Sequence, residues 1–259
     1  MTDDEILLSH ARDLKKQCAD RGMITHTAFL DLHQRSLLAR LERENNADVQ
    51  TFYHGGCKDA ERVLAVFVPK FYGVGDLAAY LAENPDDDPL CLLRAEKDAF
   101  STLSHRDYLG ALMGLSVKRE LFGDLLTDDG GAYLVCLRSI RPFLLESFRS
   151  AGRATLTLRD ASFAELQTRE AKTQDVFVSV PSLRLDCVLA AAYNLSRTKA
   201  EQAIRAGLVF VNAVQTDKTD RRLSPGDVLV LRGKGKCLLF AQTGESKKGR
   251  LHLTVRRYI

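Results

Sequence analysis

The last third of the chain constrains the fold most, because two short helices and a strand follow one another closely between Arg184 and Asn212. Ser196 is a good N-cap for the second helix, since its hydroxyl can accept an otherwise unpaired backbone N–H. Gly207 suits the left-handed position that ends a helix, and residues 208–211 follow as a predicted strand. Apolar residues of the first helix recur at helical spacing at Leu185, Val188, Leu189 and Ala192. This segment predicts a small α+β domain.

Charge separates this last third from the rest of the chain. Residues 181–259 hold 15 lysine and arginine residues against 6 aspartate and glutamate residues, a net charge of +9. Residues 1–180 hold 22 basic and 28 acidic residues, a net charge of −6. A basic end on an acidic chain predicts that this end binds a polyanion, with a chance cluster of solvated charges as the alternative.

Basic side chains on the predicted helices and turns are the candidate ligands for that polyanion, which we expect to be RNA. Arg184 and Arg197 begin the two helices, where a cation is unfavourable for the helix dipole, so they are predicted to serve a ligand. A phosphate there could also accept backbone N–H groups. Asp186 is predicted to be structural, pairing with an arginine or capping its helix. The candidate RNA-binding residues of this region are Arg184, Arg197, Thr198, Lys199, Arg205, Asn212, Lys218, Arg221, Arg222, Lys234 and Lys236.

Residues 1–87 are predicted to form an N-terminal α+β domain. Helical periodicity runs through residues 5–44, with a break at residues 21–23 and with Thr25 or Thr27 as the next N-cap. Two strands follow, at residues 49–53 and 62–68, and a polar segment bounded by prolines at residues 84–89 ends the domain.

Residues 88–165 are predicted to form a ferredoxin-like βαββαβ domain, the arrangement that RNA-recognition domains share. A capping box from Ser104 to Asp107 opens the first helix, and residues 128–131 form a hairpin turn. The predicted elements, in order, are strand 90–94, the helix to residue 113, strands 122–127 and 132–137, helix 141–149 and strand 154–158. The expected fold class is therefore α+β throughout.

The middle domain offers weaker candidates for RNA contact. A base-stacking face needs several aromatic residues on the central strands, and the third strand has only Tyr133. Lys118 and Arg119 follow the first helix and either contact RNA or form a solvated turn. Residues 160–180 are predicted to be a linker that ends in an extended segment at 176–180, before the C-terminal domain at 181–259.

Composition narrows the class of protein further. Six cysteines are scattered without a CxxC pair, which predicts buried thiols in a reducing cytoplasm and no metal site. No apolar run is long enough to span a bilayer, and the acidic start is unlike a targeting segment. We expect a cytoplasmic monomer with no cofactor and no membrane contact.

Two resemblances become specific at these residues. Residues 183–232 resemble the S-four RNA-binding domain, although Ala213 stands where that family usually has glycine after the asparagine; the matching residues are Arg184-Leu185-Asp186, Ser196-Arg197, Ala200, Ile204, Gly207, Val209, Val211-Asn212, Lys218 and Gly226-Asp227. Residues 50–259 resemble the YlmH family, whose marks are Leu103-Ser104-His105-Arg106-Asp107-Tyr108-Leu109-Gly110-Ala111-Leu112, Gly114-Leu115, Lys118-Arg119 and Gly123-Asp124.

The YlmH resemblance implies a cytoplasmic, non-enzymatic RNA-binding protein that acts on the ribosome. It further implies contact with ribosomal RNA of the large ribosomal subunit and with tRNA, in the rescue of subunits blocked by peptidyl-tRNA. YlmH genes often lie near cell-division genes, so a cell-division adaptor is one alternative, with the acidic N-terminal helices as its partner surface.

An enzyme is the other alternative. Residues 73–78 fit the dinucleotide-binding pattern G-x-G-x-x-A after a predicted strand, although residues 69–72 separate the strand from the glycines. S-four domains also serve RNA-modifying enzymes as targeting modules, but His252 stands where a pseudouridine synthase motif would have its catalytic aspartate. His105-Arg106-Asp107 is similar to a kinase catalytic loop, but Leu112 stands where the asparagine is required. We therefore expect no catalytic residues.

Overall fold

The structure, a computed structural model, describes residues 2–41, 48–57, 60–167 and 173–258. The chain divides into two compact units, residues 1–169 and residues 170–259. Each unit has its own sheets and its own buried core. The boundary predicted near residue 87 lies inside the first unit, whereas the start of the second unit lies within the predicted linker.

The N-terminal part of the first unit has three helices and a three-stranded antiparallel sheet. The helices are α1 (Asp3–Arg21), α2 (Leu32–Leu41) and α3 (Leu77–Glu83), and the strands are β1 (Thr25–His26), β2 (Val49–His54) and β3 (Leu64–Pro69), in the order β1-β3-β2. Helix α1 ends at Gly22, whose φ is 62°. Both predicted strands and the break at residues 21–23 are confirmed, while residues 42–44 of the helical pattern lie outside the described residues.

The helix N-cap predicted at Thr25 or Thr27 is wrong. Thr25 lies in β1, and its hydroxyl donates to a carbonyl of α1 at 2.8 Å. The Thr27 hydroxyl accepts the Ala65 N–H of β3 at 3.0 Å. Helix α2 begins after Asp31, whose carboxylate accepts the Gln34 N–H at 2.9 Å. Both threonine hydroxyls are used by tertiary contacts, which local spacing does not show.

The middle part of the first unit is a five-stranded antiparallel sheet with flanking helices. Its elements are, in chain order, β4 (Leu90–Lys97), α4 (His105–Gly114), β5 (Phe122–Asp128), β6 (Gly131–Leu137), α5 (Arg141–Ser147), β7 (Ser150–Ala151), β8 (Ala154–Ala161) and α6 (Phe163–Gln167). The strands pair in the order β5-β6-β4-β8-β7. All six predicted elements are present, and the capping box is confirmed because the Asp107 carboxylate accepts the Ser104 N–H at 2.8 Å.

Protein side chains cover both faces of this sheet. Helices α4 and α5 cover one face, in a core that includes Leu93, Leu134, Tyr108, Leu112 and Leu144. The strand neighbours of those sheet residues point the other way and pack against the N-terminal part, in a core that includes Leu92, Val135, Phe29, Val66, Leu77 and Leu81. Tyr133 packs against this second core beneath the Arg94 guanidinium, which lies 4.4 Å from its ring centroid. The ring of Tyr133, the lone aromatic residue of β6, therefore packs inside the first unit.

The second unit is a six-stranded antiparallel sheet with two helices on one face. Its elements are β9 (Thr173–Val180), α7 (Leu185–Ala192), α8 (Arg197–Arg205), β10 (Val209–Val211), β11 (Val214–Gln215), β12 (Val228–Leu231), β13 (Gly235–Glu245) and β14 (Leu251–Tyr258), with the strand order β11-β10-β12-β13-β14-β9. The core between helices and sheet includes Leu185, Val188, Ile204, Val211, Leu239 and Val255. The Ser196 N-cap is confirmed, since its hydroxyl accepts the Lys199 N–H at 3.2 Å, and Gly207 is left-handed with φ 70°.

The predicted linker over residues 160–180 is wrong for most of its described part. Strand β8 reaches Ala161, helix α6 follows, and β9 is the edge strand of the second sheet. Strand β9 pairs with β14 along its whole length, from Val180 opposite Leu251 to Thr173 opposite Tyr258. From Asp175 to Val180 exposed positions alternate with more buried ones, because helices cover only one face of this sheet, and this alternation makes the segment look polar in sequence. Residues 168–172 lie outside the described residues.

The six cysteines are free thiols, and Cys18, Cys136, Cys187 and Cys237 are buried. Within the described ranges, no group of histidine, cysteine, aspartate or glutamate side chains is arranged to hold a metal ion. In the same ranges, no helix combines the length and apolar character that a membrane crossing requires.

Candidate nucleic-acid interface

A buried aspartate holds two of the predicted RNA-binding arginines. Asp186, in the first turn of α7, is fully buried. Its carboxylate accepts Nε and Nη2 of Arg184 at 3.0 and 3.1 Å, and Nε and Nη2 of Arg197 at 2.9 and 2.7 Å. The arginine side chains stay 41% and 56% exposed. The structural role predicted for Asp186 is confirmed, and its carboxylate joins the starts of α7 and α8.

Electrostatics keep this cluster charged. Burial raises the pKa of the Asp186 carboxyl, but the hydrogen bonds from Arg184 and Arg197 outweigh burial and lower this pKa to about 2. The same hydrogen bonds raise the pKa of both guanidinium groups. At neutral pH, the Asp186 carboxylate therefore holds the Arg184 and Arg197 cations in fixed positions, and the three side chains together retain one net positive charge.

The loop between β11 and β12 brings further cations to the start of α7. The N–H groups of Leu185 and Asp186 donate to the carbonyls of Arg221 and Thr219, at 2.8 and 3.0 Å. Arg222 forms a β-bridge with the residue before α7. Of the predicted residues, this arrangement brings together Arg184, Arg197, Lys218, Arg221 and Arg222; we call these five residues, with Thr198 and Lys199 of the first turn of α8, the basic cluster.

The start of α7 is closed to a phosphate, contrary to the sequence-based expectation. Its first two N–H groups bond to loop carbonyls, as above, and the Cys187 N–H donates to the Asp186 carboxylate at 3.0 Å. The Val188 N–H continues the helix by donating to the Arg184 carbonyl. A ligand of the basic cluster would therefore meet side-chain cations at α7 and not backbone N–H groups.

Asn212 is used inside the unit. Its Nδ2 donates to the Asp227 carboxylate at 2.7 Å, and its Oδ1 accepts the Val228 N–H at 2.8 Å. Asn212 and Ala213 are both left-handed, with φ of 52° and 63°, and they form the turn between β10 and β11. One donor and one acceptor of the Asn212 side chain thus explain the Val-Asn signature of this segment without a ligand.

Two further predicted residues belong to the first unit. Arg119 Nη1 donates to the carbonyls of Phe122 and Gly123 at 2.7 and 3.3 Å, and burial lowers the pKa of this guanidinium. Lys118 is exposed and lies 3.7 Å from Glu120. Arg119 therefore supports the start of β5 and is half-buried, whereas Lys118 is exposed to solvent.

The remaining predicted residues lie apart from the basic cluster. Arg205 ends α8, about 12 Å along the helix from Arg197 at 1.5 Å per residue. Lys234 is exposed in the turn between β12 and β13, and Lys236 Nζ lies 4.3 Å from the centre of the Tyr258 ring. The sequence reasoning missed the exposed aromatic residues of β9 and β13, and the alternation within residues 173–180 was the available signal.

The glycine motif at residues 73–78 does not form a dinucleotide site. The strand before it, β3, belongs to an antiparallel sheet. The carboxylate of Asp76 accepts the N–H groups of Ala78 and Ala79 at 2.8 and 3.1 Å. A pyrophosphate would need that same helix start, where the carboxylate now lies.

Two family models match the chain. The model described as "Putative RNA-binding domain in YlmH" matches residues 91–165, and the model described as S4 domain matches residues 183–229. The chain thus joins a domain that matches the YlmH model to a domain that matches the S4 model, the S-four domain of the sequence resemblance. The predicted resemblance to the YlmH family, with an S4 domain in the C-terminal region, is confirmed.

Individual relatives agree with this assignment. The chain is 28% identical over 256 residues to the ribosome-associated protein quality control protein P2 of Bacillus subtilis, covering 98% of this chain and 95% of the relative. It is 33% identical over 90 residues to the small ribosomal subunit protein uS4 of Thermus thermophilus, covering 34% of this chain and 43% of that protein. The solved cell division protein ylmH from Streptococcus pneumoniae shares the fold, with a TM-score of 0.50 and 20% identity over 64% of this chain and 94% of that one.

Proposed function

We propose that the protein is a non-enzymatic RNA-binding factor of the large ribosomal subunit, where it contacts ribosomal RNA and tRNA. Its role is the rescue of subunits blocked by peptidyl-tRNA. The observation that carries the proposal is the basic cluster, in which a buried aspartate fixes two exposed arginines beside three further loop cations. The name of the Bacillus subtilis relative, a ribosome-associated quality control protein that matches along nearly the whole chain, supports the ribosome as the location.

The middle part is proposed to be a ferredoxin-like, RRM-like domain. When β4, β5, β6 and β8 are counted as one to four, their order in the sheet is 2-3-1-4 with antiparallel neighbours, which supports this fold. The division of the first unit into domains 1–87 and 88–165, which share a core, belongs to the same proposal, and so does a C-terminal domain that extends the predicted limits 181–259 by strand β9. A monomeric state and a cytoplasmic location are proposed as well. Because both faces of the middle sheet are covered, this domain is proposed to bind RNA through Lys118 and not by base stacking.

Binding by the basic cluster rests mainly on phosphates. Fixed guanidinium groups suit phosphate oxygens because they present paired N–H donors at low cost in side-chain entropy. Each neutralised phosphate releases counterions, so log K falls with log[salt] by roughly 0.7–0.9 per contact. Specificity for a structured RNA then comes from the spacing of the cations, which is set by the Asp186 carboxylate and by the loop between β11 and β12.

Co-sedimentation with large subunits over a range of salt concentrations tests this proposal. We expect the double variant Lys199→Glu, Arg222→Glu to bind at least tenfold more weakly and with a shallower salt slope, because two phosphate contacts become repulsions. Lys70→Glu, an exposed lysine of the first unit, is the matched control and should bind as the wild type does. An affinity that hardly changes with salt, or an unaffected double variant, would contradict RNA binding by this cluster. Binding of NADH or turnover of RNA would contradict the non-enzymatic role.

A further inference from the structure

The sheet of the second unit has a second face, opposite α7 and α8, that carries aromatic and basic side chains. Phe177 of β9 is 78% exposed and Phe240 of β13 is 47% exposed. Both rings leave apolar surface in contact with water, which is unfavourable unless a ligand covers it. We call the set Phe177, Lys236, Phe240, Arg256 and Tyr258 the outer sheet face.

Strand register places these residues on one side. Arg256 of β14 lies opposite Asp175 of β9, and Phe177 is two residues further along β9, so it shares the face of Asp175. The Arg256 guanidinium lies 4.0 Å from the centre of the Phe240 ring. Since neighbouring strands lie about 4.8 Å apart, the rings of Phe177 and Phe240 belong to strands about 10 Å apart, with β14 between them.

An internal ion pair holds the central arginine flat. The Asp175 carboxylate accepts Nε and Nη2 of Arg256 at 2.7 and 3.0 Å. The planar guanidinium therefore stacks on Phe240 in a fixed orientation and extends the ring into a larger flat surface. Lys236, stacked on Tyr258 at 4.3 Å, adds a cation on the same side.

We propose that the outer sheet face is a second RNA-binding surface, which stacks unpaired nucleobases of a single-stranded segment on Phe177 and on the Phe240–Arg256 pair. Aromatic rings and guanidinium planes are the surfaces on which unpaired bases stack, and nearby cations pair with the intervening phosphates. The net charge of +9 over residues 181–259 favours a polyanion, and therefore RNA, over a protein segment with few acidic residues as the occupant. The inference rests on RNA binding by this unit, but it uses none of the residues of the basic cluster.

Binding of the full chain to a short oligouridylate, and to an abasic ribose–phosphate chain of the same length, tests the inference. Stacking contributes about 1–3 kcal/mol per base, and 1.4 kcal/mol is tenfold, so Phe177→Ala and Phe240→Ala should each weaken oligouridylate binding about tenfold. Neither variant should change the affinity for the abasic chain or the salt slope, because no phosphate contact is lost. Phe177→Tyr should retain binding, and Phe177→Leu, which is apolar but not aromatic, should lose it.

Phe100→Ala is the matched control, since this phenylalanine of the first unit is 98% exposed and lies outside the outer sheet face. Circular dichroism of each variant establishes that the fold is retained. The inference is overturned if the two alanine variants bind oligouridylate as the wild type does, or if Phe177→Leu binds like Phe177→Tyr, which would indicate an apolar partner such as a protein. If the double variant Lys199→Glu, Arg222→Glu no longer binds ribosomes while the phenylalanine variants bind oligouridylate normally, only the proposal for the outer sheet face is refuted. If the wild type binds no RNA, both proposals fail.

Discussion

Arg197 Nη2 lies 2.7 Å from Oδ2 of Asp186, although the two residues belong to different helices. Arg184 bonds to the same carboxylate from the residue before α7. One buried anion therefore fixes both the packing of two helix starts and the direction of two exposed cations. Stability and RNA binding of this unit consequently depend on the same side chain.

Asp186→Asn should lower the free energy of unfolding by about 2 kcal/mol, since charge-assisted hydrogen bonds of a buried carboxylate are lost. It should also weaken ribosome binding although it removes a negative charge, because the arginines lose their fixed positions. Asp220→Asn, in the exposed loop beside Arg184, makes the same charge change without that loss. Urea unfolding and co-sedimentation measure the two effects; tighter binding by Asp186→Asn would show that net charge outweighs positioning.

Stability of the wild type should fall in acid through the same residue. The folded-state pKa of Asp186, about 2, is below its ordinary value of 3.8, so its contribution is complete above about pH 4 and disappears as the pH falls towards 2. The contribution is about 2 kcal/mol at 1.36 kcal/mol per pKa unit. Urea unfolding of the wild type and of Asp186→Asn should converge over this interval, whereas a constant difference would rule out titration of this carboxyl as the cause.

Ala213→Gly should stabilise the second unit by about 1 kcal/mol. Ala213 has φ 63° in the turn between β10 and β11, a conformation that costs a residue with a Cβ about 1 kcal/mol and that glycine adopts freely. The same substitution at Ala190, inside α7, should instead destabilise by about 1 kcal/mol. Thermal unfolding of the two variants would therefore shift in opposite directions.

Tyr108→Phe should leave stability unchanged or raise it by up to about 1 kcal/mol. The Tyr108 hydroxyl is buried in the core beneath α4 without a hydrogen-bond partner among the described residues, so its removal relieves a desolvation cost. Tyr193→Phe is the contrasting variant, because that hydroxyl donates to the Gly235 carbonyl at 2.8 Å and its loss should cost about 1 kcal/mol. A large loss in Tyr108→Phe, measured by urea unfolding, would mean that the hydroxyl has a partner in solution.

Local signals in the sequence predicted local structure well. Ser196, Ser104 with Asp107, and Gly207 were assigned correctly because a cap or a left-handed turn depends on residues within one helical turn. The failures involve distant partners. Thr25 looked like a cap but bonds to α1, and β9 looked like a linker because β14, its partner, lies far along the chain.

The same division holds for the candidate site: its residues could be predicted from the sequence, but their tertiary contacts could not. Composition and spacing placed the basic residues of the second unit, and family resemblance placed them in an S4 domain. Spacing could not show that Asn212 bonds to Asp227 and Val228, which the tertiary fold brings to it, or that Arg119 bonds to the nearby carbonyls of Phe122 and Gly123. It also could not show that loop carbonyls close the start of α7.

The second core of the first unit has a consequence for how the chain acquires its structure. Leu92 and Val135 of the middle sheet share that core with Phe29 and Val66 of the N-terminal part. A fragment of residues 88–165 would expose one hydrophobic side of its sheet, so we expect it to aggregate, whereas residues 1–169 should unfold in a single cooperative transition. The polar segment at residues 84–89 is thus a connection within one folding unit, and the N-terminal residues act as the other half of the middle domain's interior.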